Sequence, residues 1–220
     1  MEIGSGTNLC VCQQPKRGLT SNEVVLVLDT TTKLCSCPVP TGSLTSTQKA
    51  LVFDSGNILC QCPQPASLTA TQEAFVLTPS TNTCACPAPT ADLTANQVAF
   101  VFDGTNNLCQ CPAPAAALTA NQIPLSFNGT NNLCYCPTPV GDLTSNQKAL
   151  VLDSNNQFCQ CPQPTTLLGA GQVALVLLSS STYICGCPAP TSNINSAIET
   201  PLQLTSPALF CQCPAPSVTL

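Results

Sequence analysis

Nine Cys-x-Cys pairs punctuate this chain: Cys10/Cys12, Cys35/Cys37, Cys60/Cys62, Cys84/Cys86, Cys109/Cys111, Cys134/Cys136, Cys159/Cys161, Cys185/Cys187 and Cys211/Cys213. Eight of the nine run straight into Pro-x-Pro, and the first members of successive pairs lie 24 to 26 residues apart. A period of this length marks a tandem array. A repeat of about 25 residues cannot enclose a hydrophobic core of its own, so it depends on covalent staples or on its neighbours. Arrays of this kind ordinarily supply surface and length rather than chemistry.

Each repeat reads as four pieces, seen most plainly in Leu93–Pro114. Thr94 and Gln97 have the spacing of a capping box, and Thr-x-x-Gln/Glu recurs at Thr20/Glu23, Thr45/Gln48, Thr69/Gln72, Thr119/Gln122 and Thr144/Gln147. The segment is too short for a stable helix, so a single helical or 3-10 turn is expected. Val98–Phe102 is apolar and partly β-branched, which predicts one buried strand. Pro124 and Pro201 fall near the start of the equivalent piece, which suits a strand and opposes a continuing helix. Asp103-Gly104-Thr105-Asn106-Asn107 carries hairpin-loop chemistry, because Asp, Asn and Gly tolerate left-handed backbone and bond to their own main chain. Leu108–Cys111 is the return strand, and Pro112-Ala113-Pro114 ends its ladder and stiffens the exit. The expected fold is therefore all-β: about eight disulfide-closed hairpin repeats with short turns, stacked or solenoid-like. Residues 1–13 hold an orphan Cys-x-Cys strand with no partner before it. Residues 14–190 hold seven regular repeats, and residues 191–220 a divergent repeat and tail.

The pairing of the sulphurs is the central question. Residues i and i+2 of a strand point to one face. Their Cα atoms lie about 6.5–7 Å apart, at the limit for a bridge. Bonding within one Cys-x-Cys is thus disfavoured. Joining neighbouring pairs two-to-two leaves one pair over, because nine is odd. The alternative closes each repeat end to end: Cys12–Cys35, Cys37–Cys60, Cys62–Cys84, Cys86–Cys109, Cys111–Cys134, Cys136–Cys159, Cys161–Cys185 and Cys187–Cys211. This daisy chain is the favoured expectation. It leaves Cys10 and Cys213, one at each end, as candidates for a disulfide between molecules. Cys-x-Cys can also hold a metal through its thiolates. A closed zinc site needs four ligands, hence two neighbouring pairs, and nine pairs again leave one over.

The remaining composition narrows the function. There is no histidine, so neither Ser-His-Asp nor Cys-His catalysis can be assembled within the chain. Asp54, Asp103 and Asp153 share one hairpin-loop slot and read as turn formers. No cofactor and no enzymatic activity are expected. Five Lys and Arg residues give too little cationic surface for nucleic acid. No apolar run reaches membrane-spanning length. Regularly spaced cysteines in this number suit an oxidising compartment, so an extracellular or cell-surface location is expected. Charged residues make up 7 % of the chain, so little repulsion keeps copies apart. The expected role is a self-assembling structural subunit of a fibre, wall, coat or matrix, a head-to-tail homopolymer. The alternative is a binding module, an adhesin or a glycan or ice binder that uses one repeated face. Asn128-Gly129-Thr130 is a sequon on a hairpin loop, which makes Asn128 a candidate for N-glycosylation.

Overall fold

A computed structural model of the chain describes residues 2–3, 10–192 and 199–214, with side chains described from residue 11 onward. Among the described residues every regular element is a β-strand. Each full repeat carries three short strands, called here lead, hairpin and return. In the second repeat these are Gln48–Ala50, Val52–Asp54 and Leu59–Gln61. The single strand expected from the apolar run is thus two. In the fourth repeat the run divides into Gln97–Ala99 and Val101–Asp103, on either side of the buried Phe100.

Pairing explains the break. A return strand has two edges, and its own hairpin strand fills one of them. The other is filled by the lead strand of the preceding repeat. The return strand Thr83–Ala85 pairs antiparallel with its hairpin strand Val76–Thr78 and with the lead strand Gln48–Ala50. Cys84 then lies between Leu77 on one side and Lys49 on the other. One apolar run serves two sheets by turning at a pivot residue. The pivots Leu51, Phe75, Phe100, Leu125, Leu150 and Leu175 are all buried. A straight strand could pair with only one of the two return strands.

Contacts divide the chain into two compact bodies: Met1–Asp92 with Ala99–Cys111 and Phe127–Leu133, and Leu93–Val98 with Pro112–Ser126 and Cys134–Leu220. The first body holds three such sheets, with return strands Leu59–Gln61, Thr83–Ala85 and Leu108–Gln110. It also holds two two-stranded sheets, Glu2–Ile3 with Cys10–Val11 and Val27–Leu28 with Cys35–Ser36. The first Cys-x-Cys strand is therefore not an orphan: it pairs antiparallel with Glu2–Ile3. Within the second body three sheets repeat the pattern around Phe158–Gln160, Ile184–Gly186 and Phe210–Gln212.

The Thr-x-x-Gln segments form hydrogen-bonded turns and not helical ones. The amide of Gln97 donates to the Thr94 carbonyl at 3.1 Å, and the Thr94 amide donates to Gln97 Oε1 at 2.9 Å. Half of the capping box is present, the reach of Gln back to the threonine amide. The threonine hydroxyl is not what meets the Gln97 amide. A helix cannot continue here because the next residues bond laterally to another repeat's return strand.

The hairpin loops are closed by a residue in left-handed conformation just before each return strand: Lys33, Ile58, Asn82, Asn107, Asn132, Gln157, Tyr183 and Leu209. The amides of Ile58 and Gln157 close five-residue turns onto the Asp54 and Asp153 carbonyls, each at 2.8 Å.

Candidate functional site

The sulphurs form the spine of each body. In the first, bridges join Cys12–Cys35, Cys37–Cys60, Cys62–Cys84 and Cys86–Cys109. In the second they join Cys136–Cys159, Cys161–Cys185 and Cys187–Cys211. Cys111 and Cys134 are disulfide-bonded as well. These seven bridges each run from the second cysteine of one pair to the first of the next. The Cα atoms of Cys161 and Cys185 lie 5.5 Å apart, a normal separation for a bridge. The bridged cysteines also fill space. Among the largest fully buried side chains, Phe75, Leu59 and Leu150 stand beside Cys60, Cys62, Cys84, Cys109, Cys159, Cys161, Cys185 and Cys211.

A second set of ties runs between repeats two apart. The Asn96 side chain accepts the Leu152 amide at 3.0 Å, and its carbonyl accepts the Cys136 amide at 3.0 Å. Asn22 accepts from Leu77, Asn121 from Leu177 and Asn146 from Leu204 in the same way. The middle residue of each such hairpin strand points its N–H away from the return strand, and an asparagine from an earlier lead turn satisfies it. The sequence carries this signal as Asn in the slot before Gln. It reads there as ordinary turn chemistry, because the partner lies more than 50 residues on.

The exit segments provide a third tie. The Thr41 amide donates to the Thr81 carbonyl, Thr90 to Asn131, and Thr165 to Ala208, each joining a Pro-x-Pro exit to the hairpin turn of the repeat after next.

The loop acids Asp54, Asp103 and Asp153, together with Glu23, are engaged in structure. Asp54 accepts from the Gly56 and Asn57 amides and from the Asn57 side chain, and that side-chain bond leads in holding its carboxyl below the usual range. Asp153 is held down first by the Asn156 side chain, and Asp103 first by the Thr105 amide. Glu23 takes the place of the usual Gln. Its side chain is 6 % exposed and paired with Arg17 at 2.5 Å. The Arg17 bond, followed by the Thr20 amide, brings its carboxyl down to about 2. Among the described residues no group of His, Cys, Asp and Glu is placed to hold a metal ion.

The ends of the array differ from its interior. Cys213 is a free, exposed cysteine. The backbone of Cys10 lies in its strand, while its side chain falls outside the described residues. The pivots Leu26 and Leu202 are only half-buried, unlike the six interior pivots. Leu34, just before the return strand Cys35–Ser36 of the first repeat, is 64 % exposed, whereas its counterparts Leu59, Leu108, Leu133, Phe158 and Phe210 are buried. Beside it a groove of about 470 Å³ is lined by Leu26, Cys35, Ser36, Cys37, Val39, Leu51 and Phe53.

Asn128 closes the strand Ser126–Asn128 and is half-buried, with its Oδ1 accepting the Asn131 amide at 3.2 Å. It does the work that Asp does in other loops. One leucine per repeat is also exposed, Leu19, Leu44 and Leu68 in the first body and Leu93, Leu118, Leu143 and Leu168 in the second, each between 36 % and 45 % exposed. Among the described residues no helix is long and apolar enough to cross a membrane. The disulfides are of the kind that persists in secreted and extracellular proteins.

No protein-family model matches this chain, and neither a curated protein nor a solved structure matches it.

Proposed function

We propose that this chain is a non-catalytic structural protein of the extracellular space, whose copies join end to end into a fibre, wall, coat or matrix. The observation that carries the reading is the pattern of bridges. Second cysteines bond the first cysteine of the next pair, and Cys213 is a second cysteine left free and exposed. By the same rule its partner is a first cysteine, and Cys10 of another copy is the one the daisy chain leaves over. Closing that bond takes two protons and two electrons from the two thiols. A small-molecule disulfide accepts them and is reduced to two thiols.

The test is the full chain incubated with such a disulfide, followed by non-reducing electrophoresis and electron microscopy. A ladder of multiples and linear assemblies is expected, and Cys213→Ser removes the ladder. A single monomer band with only isolated particles overturns the reading.

The exposed leucine repeated within each body favours a second reading, a repeat-surface binding module for glycan, ice or an apolar partner. Identical side chains at one position per repeat are what such a surface uses. Replacing Leu44 and Leu68 with serine should abolish ligand capture and leave end-to-end assembly unchanged if this reading holds. A glycan on Asn128 belongs with either reading, and the intact mass of native material reads it directly.

A further inference from the structure

The described residues hold unfilled halves of the pairing that recurs inside each body. Inside each body, every return strand after that of the first repeat has a lead strand on one edge and a hairpin strand on the other. The strands Cys10–Val11 and Cys35–Ser36 each have a partner on one side only, Glu2–Ile3 and Val27–Leu28, and of the two it is Cys10–Val11 that carries the first cysteine left for Cys213. At the other end, Thr200-Pro201-Leu202 stands in register with Ile123-Pro124-Leu125, the lead residues and pivot of the fifth repeat. Thr200 and Pro201 are exposed and lie in no ladder among the described residues, and Leu202 is half-buried where Leu125 is buried.

We propose that Thr200–Leu202 of one copy is the lead strand of the Cys10–Val11 return strand of a second copy. This deepens the end-to-end reading above and rests on it. It names the donor, the acceptor and the register of the junction.

The register follows from the interior. Ile123 faces Cys159, and Pro124 faces Phe158. Pro124 has no N–H, and the hairpin residue Leu152 turns its own N–H outward to Asn96. It is therefore Ile123 that exchanges both main-chain bonds with Cys159, since antiparallel pairs alternate between bonded and non-bonded. Thr200 holds the Ile123 position, and Cys10 holds the Cys159 position. Thr200 thus exchanges main-chain bonds with Cys10 of the second copy, and Leu202 follows it in the pivot position. The same register brings Cys213 of the donor and Cys10 of the acceptor into the relation of Cys161 to Cys185. Strand addition and bridge converge on one alignment, although they rest on different atoms. An exposed sheet edge that takes an extended segment is a known mode of recognition.

The experiment compares sedimentation of the full chain with Thr200→Pro and Thr200→Val, each in a Cys213→Ser background so that the non-covalent junction alone is read. Thr200→Pro removes the one N–H that the junction needs. Because Thr200 lies in no ladder among the described residues, the melting midpoint of the isolated chain should not move. The expected result is an association weakened at least tenfold by Thr200→Pro and retained by Thr200→Val. Association of Thr200→Pro equal to that of the parent overturns this junction while leaving end-to-end assembly standing. A parent that stays monomeric even with Cys213 intact under oxidising conditions overturns both.

Discussion

Ile58 is the residue least suited to its place. It holds φ of 57° at the end of its hairpin loop, where three other repeats place asparagine. A β-branched side chain in the left-handed region crowds its own backbone, at a cost of about 1–2 kcal/mol. Ile58→Asn removes that cost and gives up a half-buried side chain in return. The expected net effect is a stabilisation of about 1 kcal/mol, read as a higher melting midpoint with the bridges intact. Glu23 gives a second test, in pH. Its folded carboxyl lies at about 2, below the unfolded value of about 4.3. A group depressed in this way stabilises the fold above its unfolded value. The contribution is lost as pH falls from about 4.3 towards 2. Glu23→Gln restores the residue used by the other repeats and keeps an acceptor for the Thr20 amide. The melting midpoint of the parent should fall across this window more steeply than that of Glu23→Gln. Parallel curves would show that the Arg17 pair adds nothing to stability.

At the scale of the element, the strands are legible in sequence and their partners are not. Val98–Phe102 is apolar enough to predict a strand, and the Asp-Gly-Thr-Asn-Asn turn predicts its hairpin. Nothing local says that the run bends at Phe100 and gives its first half to the next repeat. That follows only from the second edge of the return strand, a need that appears once the strands lie side by side. The cysteine spacing reads further, because strand geometry disfavours bonding within a pair and leaves end-to-end closure as an orderly solution. The asparagine ties lie beyond such reading, since a turn residue and a tie residue are spelled alike. They are testable as elements. Asn22→Ala leaves the Leu77 amide without its acceptor in a half-buried position, where an unmade hydrogen bond costs about 1 kcal/mol. The loss should appear as faster amide exchange at Leu77, two repeats away, with smaller changes in the second body. Unchanged exchange at Leu77 would mean that water replaces Asn22 at no cost.

At the scale of the molecule, the balance lies between sulphur and hydrocarbon. Each body buries one pivot per interior repeat and, in most repeats, the Leu or Phe that opens the return strand, and half-cystines occupy much of the remaining fully buried volume. A bridge closing a loop of 22 to 24 residues contributes on the order of 3 kcal/mol by restricting the unfolded chain. Typical domains keep only about 5–15 kcal/mol of net stability. Losing several such bridges therefore exceeds what a set of small cores can hold. The thiols left behind would still pack as small apolar groups, so the prediction separates the covalent tie from the filling of space. Full reduction at neutral pH and 25 °C should abolish the far-UV β signal and open the turns to proteolysis. Replacing the single bridge Cys161–Cys185 by a pair of alanines should lower the melting midpoint and leave the rest of the β signal in place. A fully reduced chain that kept both its β signal and its protease resistance would place the stability in the pivots and asparagine ties instead.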